Sequence, residues 1–109
     1  MTEARRVAAL ARERGLGVVP HLWNTGISVA AAVHLAAVTP ECPFIEFLPP
    51  DLSESALRKE LLSEEPQLVD GVIPLPLKPG LGIELNRDAL ARFEDAAKRA
   101  ARDRGLRWR

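Results

Sequence analysis

Leu16-Gly17-Val18-Val19-Pro20-His21-Leu22-Trp23-Asn24-Thr25-Gly26 is the stretch that decides the fold. Its apolar run, Leu16 to Val19, is short, contains two β-branched valines and is closed by Pro20. Those features predict a buried parallel strand. Pro20 to Gly26 then reads as a loop with polar tips, in which Thr25 can cap a following helix. That helix, Ile27 to about Val38, is alanine-rich and apolar nearly all round, so it needs neighbours on most sides. Thr39-Pro40 stops it, and Pro43-Phe44-Ile45-Glu46-Phe47-Leu48 predicts a second short strand ended by Pro49-Pro50.

Upstream, Thr2 to Arg14 has helical periodicity. Ala4, Val7, Ala8, Leu10 and Ala11 share a broad face, and Gly15 and Gly17 end the run. The order helix, strand, helix, strand with short connections belongs to a parallel α/β sheet. Downstream the character changes. Asp51 to Glu65 is acidic, with a short helix around Ser55 to Leu62. Pro66 to Leu77 reads as extended, with a turn at Asp70-Gly71, and Pro79-Gly80-Leu81-Gly82 is a tight turn. A final helix, capped by Asn86, runs from about Arg87 to about Arg104 with an apolar stripe of Leu90, Phe93, Ala97 and Ala100. Asp88 near its start and Lys98, Arg99, Arg102 and Arg104 near its end suit the helix dipole.

The 109 residues are 47% hydrophobic and 28% charged, an ordinary globular composition. Fifteen basic side chains balance 15 acidic ones, so no net field draws the chain to nucleic acid or an anionic membrane. The lone cysteine, Cys42, can form no internal disulfide and no zinc cluster. The longest apolar stretch, Ile27 to Val38, is shorter than the roughly 20 residues a bilayer requires, and the amino terminus has no signal-peptide core. A cytoplasmic setting is the expectation. A whole (β/α)8 barrel takes about 250 residues, more than this chain provides.

Two residues are candidates for chemistry. His21 follows a buried strand, and ligands of parallel α/β folds gather at the carboxyl ends of strands. It reads as a proton-transfer group or as a loop histidine bonded to backbone. Glu46 interrupts an apolar strand, so it either needs a partner at a site or points to water from an edge. Other positions carry less. His34 reads as a packed or surface side chain. Pro79 to Gly82 lacks the spacing of a phosphate loop. Cys42 has no basic neighbour in sequence to activate it. The tail from Lys98 to Arg109, with six positive charges and one negative, reads as a solvated helix end.

The stretches Val18-Val19-Pro20-His21-Leu22-Trp23, Val33-His34-Leu35-Ala36-Ala37, Phe44-Ile45-Glu46-Phe47, Asp70-Gly71-Val72-Ile73-Pro74-Leu75-Pro76 and Pro79-Gly80-Leu81-Gly82-Ile83-Glu84-Leu85 together resemble a known family. It is the mandelate racemase and muconate-lactonising branch of the enolase superfamily, in the carboxy-terminal part of its barrel domain. The resemblance covers about Gly15 to Phe93, and its order and spacing are more specific than any one piece.

The resemblance implies an α/β fold that is part of a (β/α) barrel. Residues 1–50 supply strands seven and eight with their helices, 51–86 a return segment, and 87–109 a terminal helix. It implies that His21 is the general base that removes the proton beside a substrate carboxylate. It implies that Glu46 hydrogen-bonds the carboxylate of the enolic intermediate, and that Trp23 contacts substrate. The implied activity is Mg2+-dependent dehydration or racemisation of an acid sugar, a lyase or isomerase reaction. The family's metal ligands, its strand-two lysine and its capping domain have no counterpart in these residues. The expectation is therefore a piece inactive alone, with open strand edges and an under-partnered apolar helix. Two other readings stand beside it: one subunit of a two-chain enzyme, or a small non-catalytic α/β module that associates with itself.

Overall fold

Helix α1 spans Thr2–Glu13, with Glu3 in its first turn and Arg12 in its last, as the helix dipole favours. The computed structural model describes residues 1–106. The end of the basic tail, 107–109, lies outside the described residues. Of the broad face expected for α1, only Ala8 is buried, while Val7 and Leu10 are exposed. The helix packs through its alanines, and nothing among the described residues covers its larger side chains.

The predicted strands form, but displaced and shorter. β1 is His21–Leu22 and β2 is Glu46–Phe47, paired in parallel with His21 beside Glu46 and Leu22 beside Phe47. Leu16 to Val19 runs alongside without a ladder: the Val18 amide donates to the Glu41 carbonyl, and Leu16 and Val19 are exposed. The reading of that run as a buried strand, with His21 just beyond its end, is therefore corrected, because His21 is itself a strand residue. Apolar content marks residues that suit a strand, whereas a ladder exists only where a partner's backbone is in register. Pro43 to Ile45 likewise contributes approach rather than ladder. The Glu46 amide donates to the Pro20 carbonyl at 3.0 Å and opens the paired segment.

Helix α2, Gly26–Ala37, packs over this pair. Leu22, Val29, Ala32 and Val33 form the core, with Ile45, Phe47 and Ile73 against it. Thr25 occupies the cap position, but its side chain makes no capping bond; its carbonyl instead accepts from the Ser28 hydroxyl at 2.7 Å. The expectation that α2 lacks partners is overturned. Every residue from Gly26 to Ala36 is buried or half-buried. His34 Nε2 lies 3.3 Å from the Leu81 carbonyl oxygen, so the later turn seats the helix's far side and His34 is a packed side chain.

The return segment is more structured than an extended strip. After a 3-10 turn at Pro50–Leu52 comes the short helix α3, Ala56–Glu60, capped by the Ser55 hydroxyl. Val69 and Val72 pair across Asp70 and Gly71, both at positive φ, which makes the expected turn a tight hairpin. Leu62 bridges Leu85, so the two ends of the segment close on each other. Helix α4, Arg87–Asp103, begins at Asn86, whose side chain accepts from the Ala89 amide as predicted. Its inner line is Ala89, Phe93, Ala97 and Ala101, while Leu90 and Ala100 are exposed, a small rotation of the expected stripe. Most of α4 meets solvent. The radius of gyration, 16.5 Å, exceeds the roughly 13 Å of a compact 100-residue domain. No helix among the described residues is long and apolar enough to cross a membrane.

Arg58 of α3 is 1% exposed and pairs with Glu65, which is also buried. The Glu65 carboxylate rests on the first residue of α2. A Cβ added to Gly26 would lie 2.5 Å from Glu65 Oε2 and 2.6 Å from Oε1. Replacing a helical glycine by alanine ordinarily stabilises by up to about 1 kcal/mol. Here the new methyl group displaces a buried charge, so Gly26→Ala is expected to lower Tm by several degrees in thermal unfolding followed by circular dichroism. A Tm equal to or above that of the parent chain would show that Glu65 does not sit there.

Candidate functional site

Strand alternation builds the site. Successive side chains point to opposite faces, and residues side by side in neighbouring strands share a face. Leu22 and Phe47 turn toward α2 and the core. His21 and Glu46, in register, turn to the other face. Trp23, two residues beyond His21, joins them there. Its ring stacks on the imidazole, with centroids 5.1 Å apart and planes inclined by 28°. The three residues singled out from sequence are thus brought together.

His21 Nε2 lies 3.5 Å from Glu46 Oε1. That is ion-pair reach and longer than the usual 2.7–3.2 Å of a hydrogen bond. The side chains are 62% and 43% exposed, so both are open to a ligand. A base and a carboxyl group side by side, on an open face beside an aromatic ring, can remove a proton and hold a neighbouring polar group. Bonds of this kind often tighten only when substrate is present.

The residues do not fit a magnesium site. Mg2+ seeks near-octahedral oxygen ligands, and this face offers one carboxylate and an imidazole. Among the described residues no three of His, Cys, Asp and Glu gather as a metal site.

An apolar cavity of about 370 Å³ lies on the core side of β2, between α2 and the hairpin, lined by Val33, Phe44, Phe47, Leu68 and Ile73 among others. Neither His21 nor Glu46 lines it, so it is separate from the face that carries them. Cys42 does line it, and burial pushes its thiol up from the usual range, although a backbone hydrogen bond with Phe44 works against this. Less thiolate is therefore present at any given pH near 8, and the thiolate is the reactive form. Cys42 is expected to react with a disulfide reagent at pH 8 more slowly than a free thiol such as glutathione, and to reach that rate on unfolding. Native reaction at the free-thiol rate would contradict this.

Neither Arg58 nor Glu65 stands out in the sequence. α3 ends at Glu60, so Glu65 reaches Arg58 where the chain folds back beyond the helix, and the two charges do not share a helix face. Arg58 Nη2 also donates to the Leu48 carbonyl at 3.3 Å, and the guanidinium lies 5.8 Å from the centroid of the Phe47 ring.

A family model described as Enolase C-terminal domain-like matches residues 1–89. The D-galactarolactone cycloisomerase of Agrobacterium fabrum is 41% identical over 100 residues, covering 84% of this chain and 26% of that protein. The 3,6-anhydro-D-galactonate cycloisomerase of Zobellia galactanivorans is similar in structure, with a TM-score of 0.71 and 35% identity over 84% of this chain and 25% of that one. So is an enolase of the mandelate racemase subgroup from Agrobacterium tumefaciens, with a TM-score of 0.71 and 27% identity over 84% of this chain and 24% of that one. The chain spans about a quarter of the length of each of these relatives.

A stacked indole is a reporter for the site. In a Trp108→Phe background, which leaves Trp23 as the one tryptophan, His21→Ala is expected to shift emission to longer wavelength as the ring gains water contact. An unchanged spectrum would mean that the stack does not form in solution.

Proposed function

The chain belongs to the enolase C-terminal domain-like family, and from that premise we propose that it supplies the proton-abstracting part of an enzyme that isomerises or dehydrates a sugar acid or its lactone. The observation that carries the proposal is the His21–Glu46 pair, 3.5 Å apart on one open strand face. That two relatives are sugar-lactone and sugar-acid cycloisomerases supports the substrate class. In this reading β1 and β2 are the seventh and eighth strands of a (β/α) barrel, the open face looks into its interior, and the setting is cytoplasmic.

His21 takes the proton from the carbon beside the substrate carboxylate, acting as a neutral imidazole through Nε2. Glu46 is placed to share a hydrogen bond with the carboxylate of the enolic intermediate. Trp23 stacks on the imidazole, limits its rotation and offers an apolar wall to the substrate. The carbanion formed beside a carboxylate needs strong electrostatic stabilisation. The Mg2+ implied by the resemblance would supply it in the assembled enzyme, and its ligands would come from residues other than the described ones. The described residues are then inactive by themselves and need the remaining strands of a barrel, in the same polypeptide or in another, to complete the sheet. Open strand edges and the exposed Val19 and Trp23 support that reading. They also support the alternative of a non-catalytic module that associates with itself.

The test is complementation. Purified chain is mixed with the remaining three quarters of the Agrobacterium cycloisomerase, and turnover of a sugar-acid lactone is followed. Activity is expected from the mixture and from neither part. His21→Ala is expected to lower kcat by about 10²-fold or more, the usual contribution of a general base. A mixture that turns over equally well with His21→Ala would sink the proposal. A mixture with no activity, in which the chain forms a defined homo-oligomer, would favour the self-associating module.

A further inference from the structure

The buried Arg58–Glu65 pair has no evident place in a small hydrophobic core. Arginine is almost never fully buried, and taking two charges out of water costs more than well-packed apolar side chains would. The pair is also not an ideal salt bridge. Arg58 Nη1 and Glu65 Oε2 meet, yet Arg58 Nε and Nη1 and both Glu65 oxygens make no aligned hydrogen bond. Stability alone gives poor grounds for such a pair.

Its surroundings give better ones. Arg58 donates to the carbonyl of Leu48, two residues beyond Glu46, and lies over the ring of Phe47. Glu65 presses on Gly26, the first residue of α2 and the end of the loop that leaves β1. A carboxylate at the start of a helix is held by the helix dipole as well as by its cation. One residue of the pair therefore grips the exit of β2, and the other grips the exit of β1. His21 and Glu46 are the first residues of the two strands whose exits are held.

We infer that Arg58 and Glu65 are positioning residues, which fix the two strand ends relative to each other and so hold the His21–Glu46 pair in register. A slip of one residue would turn every side chain of a strand to the opposite face, and a ladder of two residues per strand has little of its own to prevent that. Gly26 belongs to the same device, because any larger residue would push the carboxylate off the helix start. The inference rests on His21 and Glu46 being the reacting pair.

Native-state hydrogen exchange of the full chain by NMR tests the clamp. The probe is the Glu46 amide, which bonds the Pro20 carbonyl across the two strands. Glu65→Gln is expected to speed its exchange by about tenfold relative to amides in the middle of α1, which is local opening rather than global loss. Gly26→Ala keeps both charges and is expected to act in the same direction, which covers a failure of Glu65→Gln to fold. Arg58→Lys, retaining the charge, is expected to protect Glu46 better than Arg58→Met does. Equal acceleration of all amides, or no change at Glu46, would overturn the inference. In the complemented enzyme, Glu65→Gln is expected to lower kcat with little change in KM. If His21→Ala inactivates while Glu65→Gln leaves kcat intact, the positioning role falls and the site stands. If His21→Ala is without effect, the site falls and the positioning role with it, even where exchange shows a clamp.

Discussion

The structure depends on one constraint, the parallel register that sets His21 beside Glu46 and Leu22 beside Phe47. Because side chains alternate along a strand, that single alignment sorts the chain into two chemistries. One face receives Leu22, Phe47 and the alanine-rich α2, and becomes core. The other receives an imidazole, a carboxylate and an indole, and stays open. The His21–Glu46 pair and the hydrophobic core are thus two consequences of the same few hydrogen bonds. The buried ion pair beneath the strand exits lies where those bonds most need support.

The parts legible in the sequence were those set by local pattern. The alanine-rich helix, the Asn86 cap, the hairpin at Asp70-Gly71 and the parallel order of the strands all follow from periodicity, capping chemistry and turn residues. His21, Trp23 and Glu46 were visible as polar or aromatic residues at the ends or middle of apolar strands. The parts misread were those set by partners. Leu16 to Val19 looks like a strand because valines suit one, yet the ladder begins where Pro20 and Glu46 meet. Val7 and Leu10 look like core because they share a face with Ala8, yet no described residue comes to cover them. Arg58 and Glu65 are not legible as a pair, because they meet only where the chain folds back after α3 ends at Glu60.

Family membership and geometry support each other without being the same evidence. The family match would hold for a chain whose site residues had been lost. The geometry adds that His21 and Glu46 remain within ion-pair reach and open to a ligand. The fit stops at the metal, for which these residues offer one carboxylate on the relevant face.

The near-complete burial of α2 has a consequence for how such a chain comes together with whatever completes it. The helix finds its neighbours within the chain: strands beneath, Glu65 at its start, and the Leu81 turn on its far side. The packing of α2 is therefore nearly complete among the described residues. Its contacts join segments far apart in sequence, such as His34 and Leu81, 47 residues apart, so this packing forms only with the tertiary fold. The open face is then held in shape by the packing of α2 behind it, so whatever meets it meets an ordered surface.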